Sequence, residues 1–576
     1  MRANGKIICA LVILCLIFLI NAVNLSTYFI SEDFNQLPAL GQKEPGFFFK
    51  AFYQDYLREY FPGYRENIIK SGLGYVRPIF LMAIKLNYVL TGMNPLGWRL
   101  PIVLMHCANS ILIFLIINFL VSDHLMALVC ALLFALSPTH PANLVYISGG
   151  LTDFLPTLFY LLSVYQFIIY RAYSSRRYYI SSVIMCFLGM FCKESVMVLP
   201  LHIILYDQLW ESLQAGKLKF KKVSQWFKID KGKLLTWSPF LIILGLFLAA
   251  RRIALGTFVG GYGAMHTQIN IQVKLIQMGE YIRRTLLAAP HDYHWAFGPF
   301  DINFVNHWRA SVTLHEGLIA LFLMATLLTP LLLRGFRNRQ YLPLMGFALL
   351  WIVLSYILLS IADALFLSPR RTYLMVIGIS IMLPALIFSF YKKKVALFVS
   401  VGLMVIYGSY QWKYNTEWRE AGLKCLQIVQ GVEAAARHYQ KGDSVILIDV
   451  PMYHKTAFVF WGNLDSALRK PFMSSEVFDE FNFKNFSSDE IKSILEQNPG
   501  VAELPQLKKL LEITPLTRPD MLNRNEKPPE YFMGLTGHAV HLLRWNDPEQ
   551  RMEDVSEEEM RSFIRLASCR PEASKG

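Results

Sequence analysis

The sequence predicts a polytopic α-helical membrane protein of about 11 transmembrane helices, followed by a small extracytoplasmic α/β domain. Of its 576 residues, 54% are hydrophobic and only 17% are charged, and the mean hydropathy is +0.36. This composition is typical of a chain that crosses a bilayer many times and excludes an ordinary soluble enzyme. The net charge is +14, but Lys and Arg cluster in short loops between apolar runs, as in cytoplasmic loops. Basic and aromatic residues are not interleaved as in single-strand binders, so nucleic acid is not an expected partner.

The first apolar run, residues 7–30, is long enough to span a bilayer core of about 30 Å. Arg2 and Lys6 precede it, which predicts a cytoplasmic amino terminus. The run is too long for a signal-peptide core, so we expect a retained anchor. Glu32 and Asp33 follow at the predicted membrane surface, either as ordinary solvated residues or as part of a reaction site there.

The later apolar runs predict ten further spans, separated by outer segments at residues 31–97 and 256–311. The first outer segment is rich in Phe and Tyr, which is typical of helices lying in the membrane interface. Residues 178–210 are too long for one span, so two short spans with Lys193 and Glu194 at their outer turn fit best. The predicted spans cover residues 98–121, 125–142, 154–170, 178–210 (two), 234–255, 312–333, 342–365, 373–391 and 395–410. The dense basic loops all fall on one side, which places the carboxyl terminus outside.

From about residue 411 the composition changes to that of a soluble domain. Residues 418–438 predict an amphipathic helix, and residues 444–450 and 456–461 predict buried strands. We therefore expect a membrane domain at residues 1–410 and an α/β domain at residues 411–576, which is long enough to bury its own core.

Charged residues collect at the predicted outer ends of the spans, where ionisable groups are costly and often functional. They are Glu32, Asp33, Asp153, Lys193, Glu194, Arg283, Arg284, Arg370 and Arg371. A carboxylate can take a proton from an acceptor hydroxyl, and guanidinium or ammonium groups can hold a phosphate leaving group. The pattern predicts glycosyl transfer from a lipid-phosphate sugar on the outer face.

Structural roles stay open for several of these residues. Asp153 precedes an apolar run and could cap a helix, Lys193 and Glu194 could form a structural ion pair, and Arg370 and Arg371 could extend to the membrane surface from a helix end.

Two further sets of polar residues have structural or metal-binding interpretations. His106 and Asn109 lie one helical turn apart within a span, and we expect them to hydrogen-bond between helices. His291, Asp292 and His294 are close in sequence, but without a clear third ligand no metal site is assigned. No cofactor is assigned, and a divalent cation, Mg²⁺ or Mn²⁺, stays open.

The order and spacing of these segments resemble those of the GT-C membrane glycosyltransferases, especially the protein O-mannosyltransferase-like and aminoarabinose transferase-like branches. The residues that carry the resemblance are Glu32-Asp33, Arg77-Pro78, His106, Asn109, residues 137–153, Cys192-Lys193-Glu194-Ser195 and Arg370-Arg371-Thr372-Tyr373. The chain departs from many relatives in having Glu32-Asp33 in place of two aspartates. It also has Gly150-Leu151-Thr152-Asp153 where others have Gly-Arg-x-Asp.

The resemblance implies a polyprenyl-phosphate sugar donor, a lipid, glycan or protein acceptor, and inversion at the anomeric carbon in a bacterial inner membrane. It implies that Asp33 is the catalytic base beside Glu32, with Asp153 and Glu194 as supporting acids. The donor phosphate would be held by Lys193, Arg77, Arg370, Arg371, Arg283 and Arg284.

Two alternatives use the same membrane setting. A ligase or polymerase of surface polysaccharide would need a lipid-diphosphate oligosaccharide. A transporter of lipid-linked sugars would need polar residues through the middle of several spans and ideally an internal repeat, neither of which the sequence displays.

Overall fold

The computed structural model divides the chain into two units. It describes residues 3–55, 74–214, 231–258, 271–287, 314–333, 336–362, 369–460, 463–474, 476–498, 504–513 and 539–555. The membrane unit comprises Met1–Ser26 and Leu40–Thr416, and the carboxyl-terminal unit comprises Thr27–Ala39 and Glu417–Gly576. Residues 31–39, which the sequence assigned to an outer loop of the membrane domain, are therefore part of the carboxyl-terminal unit.

Helices make up most of the described chain up to residue 436, which includes the whole membrane unit and parts of the carboxyl-terminal unit. Those up to residue 214 are α1 (Ala3–Asn21), α2 (Asp33–Gly41), α3 (Pro45–Lys50), α4 (Pro78–Thr91), α5 (Pro95–Val121), α6 (His124–Ala135), α7 (Pro141–Val145), α8 (Ile147–Tyr173), α9 (Arg176–Met190) and α10 (Leu199–Gln214). They are followed by α11 (Lys231–Leu255), α12 (Ile271–Leu286), α13 (Leu314–Leu333), α14 (Leu342–Ala362), α15 (Tyr373–Phe390) and α16 (Lys393–Ala436).

Seven helices in the described part of the chain are long and apolar enough to cross a membrane. They are Gly5–Asn24, Pro95–Val121, Ile147–Tyr173, Lys231–Leu255, Arg339–Ile357, Tyr373–Phe390 and Lys393–Ala436. Shorter apolar helices cover Pro78–Thr91, His124–Ala135 and Leu318–Leu327. The prediction of an integral membrane protein is confirmed, and the number of about 11 spans stays a prediction.

Capping residues set where α5 and α6 begin. The Asn94 side chain accepts a hydrogen bond from the backbone N–H of Leu96 (3.0 Å), and Pro95 occupies the first position of α5. Asp123 caps α6 in the same way, accepting from the N–H groups of Leu125 (3.1 Å) and Met126 (3.3 Å). Both caps satisfy backbone donors that have no partner within the helix.

The first span ends earlier than residue 30, so that prediction was wrong. Helix α1 ends at Asn21, and a short 3-10 turn follows at Ala22–Asn24. The Asn21 side chain donates to the Ile17 carbonyl (2.8 Å), and Asn24 donates to the Asn21 side chain (3.4 Å). Side chains that bond to the last helical turn compete with continuation of the helix. Asp33 accordingly does not close the span but begins α2.

The long run at residues 178–210 divides as predicted. Helix α9 ends at Met190 and α10 begins at Leu199, with a 3-10 turn at Glu194–Val198 between them. Lys193 precedes this turn in an extended conformation, and its N–H donates to the Gly189 carbonyl (3.1 Å). The break therefore places two adjacent charged side chains at the turn.

The carboxyl-terminal unit contains a four-stranded mixed sheet of β1 (Ser444–Ile448), β4 (Asn482–Phe486), β5 (Val540–Asn546) and β6 (Arg551–Asp554). A separate two-stranded sheet consists of β2 (Tyr453–His454) and β3 (Ala457–Phe458). The strand order in the larger sheet is β4-β1-β5-β6. Strand β1 is parallel to β4 and β5, whereas β6 is antiparallel to β5. The helices of this unit include α17 (Leu464–Ala467), α18 (Val477–Glu480), α19 (Ser488–Gln497) and α20 (Leu504–Ile513). Apolar residues of β1, β4, β5, α19 and α20 form its core.

Three predictions for this unit need correction. The helices predicted at 395–410 and 418–438 form one continuous helix, α16, because the polar stretch between them contains no proline. The first strand ends at Ile448 because Asp449 has a φ of 58°, which a strand does not accommodate. In the predicted strand 456–461, the structure describes residues 456–460, and of these only Ala457–Phe458 pairs, as β3.

Candidate active site

Two ion pairs join four of the predicted site residues within the membrane unit. Arg77 holds Glu194 through two parallel hydrogen bonds, of which the Nε–Oε2 bond measures 2.9 Å. The Lys193 Nζ atom pairs with the Asp153 carboxylate. Lys193 and Glu194 are adjacent in sequence, yet each binds a different partner rather than the other. The turn between α9 and α10 thereby connects the start of α4 to α8.

Local geometry explains how these residues reach each other. Arg77 immediately precedes α4, where Pro78 takes the first helical position, and the N–H of Ile79 donates to the Phe191 carbonyl (3.2 Å). This backbone bond brings the start of α4 to the end of α9. Because parallel bonds between a guanidinium and a carboxylate fix both position and orientation, the Arg77–Glu194 pair is a rigid connection.

Asp153 lies within α8 and does not cap it, since the residue before the helix is Tyr146. The close packing of the first turn of α8 against α7 depends on Gly150. A Cβ atom at Gly150 would lie 2.0 Å from the carbonyl oxygen of Asn143 in α7. The two helices can therefore pack this closely only without a side chain at that position.

Two charged residues that the sequence analysis missed lie beside these pairs. Arg251 is buried in α11, donates from Nε to the Phe258 carbonyl (3.0 Å) and is within electrostatic range of Glu194 and Arg77. Asp55 is also buried, and its carboxylate accepts from the N–H of Tyr75 (3.2 Å) and acts electrostatically on Arg251. An arginine near the end of a predicted span was a usable signal, whereas a single acid among aromatic residues was not.

We call six residues the buried charge cluster: Asp55, Arg77, Asp153 and Arg251, which are buried, and Lys193 and Glu194, which are partly buried. Three are acids and three are bases. Burial alone would raise the pKa of Glu194, but the guanidinium of Arg77, with Arg251 and Lys193 nearby, lowers it to about 2. Glu194 is consequently an ionised carboxylate at neutral pH and cannot serve as an acid there.

The predicted phosphate ligands on α12 form a second group. Glu280 accepts from Arg283 through both carboxylate oxygens (2.8 Å each) and from Arg284 Nε (2.6 Å). Arg371 lies in the 3-10 turn Pro369–Thr372 and, like Arg284, acts electrostatically on Tyr281. Arg370 belongs to the same turn, but its side chain lies outside the described part of the structure.

His106 and Asn109 both contact Tyr373, which was identified from the sequence only as part of the family resemblance. The Tyr373 hydroxyl lies 2.8 Å from His106 Nδ1 and 3.2 Å from Asn109 Nδ2. The three side chains are buried and connect α5 to the first residue of α15. The Tyr373 ring also packs on Phe154, with the ring centroids 4.5 Å apart.

Asp33 and Glu32 belong to the carboxyl-terminal unit. Asp33 is fully buried, begins α2 and is within electrostatic range of Cys425. Glu32 is partly exposed and accepts from Gln36 (3.0 Å). The next residue, Phe34, packs its ring on that of Phe460 at 5.6 Å. The segment is therefore anchored by aromatic packing within its own unit.

A metal site is not evident in the part of the chain that the structure describes. No group of three His, Cys, Asp or Glu side chains there has a metal-binding arrangement. His291, Asp292 and His294, the residues weighed for this role, lie outside the described residues.

A protein-family model matches the region that contains the two ion pairs. Residues 76–243 match the family model of dolichyl-phosphate-mannose-protein mannosyltransferase. The chain is 30% identical over 148 residues to protein O-mannosyl-transferase Tmtc1 of Drosophila melanogaster, which covers 25% of this chain and 16% of that protein. The chain thus spans about a sixth of the length of this curated relative. The cryo-EM structure of the mycobacterial arabinofuranosyltransferase AftD matches with a TM-score of 0.39 and 13% identity, over 86% of this chain and 33% of that one.

Arg77, Asp153, Lys193 and Glu194 all fall within the matched residues 76–243. The predicted resemblance to the GT-C membrane glycosyltransferases is confirmed.

Proposed function

We propose that the protein is a membrane glycosyltransferase that moves a sugar from a polyprenyl-phosphate donor to a lipid, glycan or protein acceptor on the extracytoplasmic face. The observation that carries the proposal is the buried charge cluster, whose two ion pairs lie in the region matching a mannosyltransferase family model. Buried charges cost several kcal/mol each unless they are paired, so a membrane protein retains them chiefly where they serve a function.

The chemistry requires a base and a stabilised leaving group. The acceptor oxygen attacks the anomeric carbon from the face opposite the phosphate, and its proton passes to a carboxylate that we assign to Asp33. The bond between the anomeric carbon and the phosphate oxygen breaks, and its electron pair leaves with the polyprenyl phosphate. Attack from the opposite face inverts the anomeric centre, and base and cation each lower the barrier by stabilising charge as it develops.

The remaining predicted residues receive supporting roles. We assign the leaving phosphate to cations among Arg77, Lys193, Arg283, Arg284, Arg370 and Arg371. The carboxyl groups of Asp153 and Glu194 support the site by holding Lys193 and Arg77 in place, rather than by donating a proton. We assign Glu32, which precedes Asp33 in the sequence, to the catalytic site beside this base.

Donor consumption tests the proposal directly. Purified protein in detergent receives a radiolabelled polyprenyl-phosphate sugar and an acceptor extract, and release of free polyprenyl phosphate is measured for wild type and Asp33→Asn. We expect turnover by wild type and a loss of at least about 100-fold in Asp33→Asn, the size typical of a positioned base. Asp489→Asn is a matched control, because Asp489 is exposed in the same unit.

Each other outcome is informative. Undiminished turnover by folded Asp33→Asn refutes Asp33 as the base. Binding of the donor without turnover by wild type favours a transporter. Turnover only with a lipid-diphosphate oligosaccharide favours a polysaccharide ligase or polymerase.

A further inference from the structure

The buried side chains around Tyr373 form a hydrogen-bonded group, and the donor and acceptor of each hydrogen bond can be deduced. His106 Nε2 lies 3.1 Å from the Ala135 carbonyl, which can only accept. A fully buried imidazole is favoured as the neutral form, so its single N–H is on Nε2 and Nδ1 is an acceptor. The Tyr373 hydroxyl must therefore donate its hydrogen to His106 Nδ1, 2.8 Å away.

Asn109 completes the group through its amide. Its Nδ2 atom carries two hydrogens and has two acceptors, the Phe154 carbonyl at 3.1 Å and the Tyr373 hydroxyl oxygen at 3.2 Å. The Tyr373 hydroxyl thus donates one bond and accepts another, which uses its hydrogen and one lone pair. One amide joins the backbone of α8 to the first residue of α15.

This group lies between two candidate site segments. Phe154 directly follows Asp153, the carboxylate paired with Lys193. Tyr373 follows the 3-10 turn that contains Arg371, and Asp153 acts electrostatically on Tyr373. Movement of the Tyr373 hydroxyl would therefore shift the turn of α8 that presents Asp153.

From this geometry we propose that Tyr373 is a positioning residue that, through Asn109 and His106, holds the Asp153-bearing turn of α8 at a fixed distance from the Arg371 segment. The expected effect on the rate of sugar transfer rests on the proposed function. The linkage between Tyr373 and α8 rests only on the hydrogen bonds of Asn109. Small displacements of positioned groups lower the rate of the chemical step far more than they weaken binding.

Tyr373→Phe is the test variant because it removes only the hydroxyl and keeps the ring that packs on Phe154. Tyr160→Phe is the matched control: Tyr160 is fully buried in α8, and its hydroxyl has no hydrogen-bond partner among the described residues. Both changes remove one buried oxygen from the membrane unit, but only the first breaks the bonds to His106 and Asn109.

Hydrogen exchange is measured by mass spectrometry on peptides covering residues 147–158, and kcat and the donor KM are measured beside it. We expect Tyr373→Phe, but not Tyr160→Phe, to accelerate exchange in this segment and to lower kcat by about tenfold with a KM change below about twofold. Unchanged exchange overturns the proposal whatever the activity. If Tyr373→Phe exchanges faster but has the same kcat as Tyr160→Phe, the positioning role is overturned. Faster exchange in Tyr373→Phe, found together with a folded wild-type protein that has no transferase activity, refutes the proposed function and leaves the linkage supported.

Discussion

Glu194→Gln is expected to destabilise the membrane unit by about 3 kcal/mol. The pKa of Glu194 falls from an ordinary 4.5 to about 2 in the folded protein. At 1.36 kcal/mol per pH unit, the folded state favours the ionised carboxylate by about 3 kcal/mol. The magnitude agrees with the cost of breaking a buried ion pair, because the change removes the carboxylate that the buried Arg77 guanidinium binds.

The assay is the free energy of unfolding in mixed micelles, obtained from reversible SDS titration followed by tryptophan fluorescence. Glu44→Gln is the matched control, since Glu44 is exposed in the same unit and its side chain does not cap α3; its expected change is below about 0.5 kcal/mol. The double variant Arg77→Gln with Glu194→Gln should recover part of the loss, because no unpaired charge remains. A cost below about 1 kcal/mol for Glu194→Gln, or strict additivity in the double variant, would refute the reasoning.

The same pair predicts a pH dependence with a definite sign. A carboxyl whose pKa is lower in the folded state binds its proton more readily when unfolded, so its contribution is full above about pH 5 and is lost as the pH falls towards 2. The difference in unfolding free energy between wild type and Glu194→Gln should therefore shrink over this range. A difference that stays constant from about pH 6 to about pH 2 would show that the pairing is not electrostatic.

Two further changes probe the helix packing and capping of the membrane unit. Gly378→Ala should lower the free energy of unfolding by about 1–3 kcal/mol, because a Cβ there would lie 2.7 Å from Ile352 Cγ1 and 3.0 Å from the Ile352 backbone nitrogen. Gly402→Ala is the control, because a Cβ there would have nothing within 4 Å. Its free energy of unfolding should stay within about 1 kcal/mol of wild type in the same titration. Asp123→Ala should cost about 1–2 kcal/mol in the same assay, because it removes the cap of α6 and the pairing with Lys393 (2.9 Å); an unchanged unfolding midpoint would contradict both roles.

The sequence predicted the helices well where one physical signal dominates. Long apolar runs and basic loops located most of the membrane helices, and the charged pair at 193–194 located the break between α9 and α10. The first span was predicted too long because hydropathy ignores what Asn21 and Asn24 do to a helix end. Strands β4 and β5 were missed because Asn482–Phe486 and Val540–Asn546 mix polar and apolar residues without a clear alternation.

The candidate site was predictable by residue type but not by pairing. Lys193 and Glu194 were singled out together, yet their partners lie 40 and 117 residues away in sequence. Such pairings depend on how the helices pack, which no local pattern encodes. Asp33 illustrates the converse: its position after an apolar run suggested a surface residue, but Phe34 and its aromatic neighbours pack this segment within the carboxyl-terminal unit.

Charge balance limits how the proposed phosphate ligands can act. In the buried charge cluster, Arg77 and Lys193 each already hold a carboxylate, so a donor phosphate that binds there must share its cation with an acid. On α12, Arg283 and Arg284 share the single carboxylate of Glu280, and Arg284 Nη1 has no hydrogen-bond partner among the described residues. Under the proposed function, Arg284 Nη1 therefore offers phosphate a donor atom that is not already used by a carboxylate among the described residues. The ion pairs of the cluster are better suited to holding carboxylates and cations in fixed orientations.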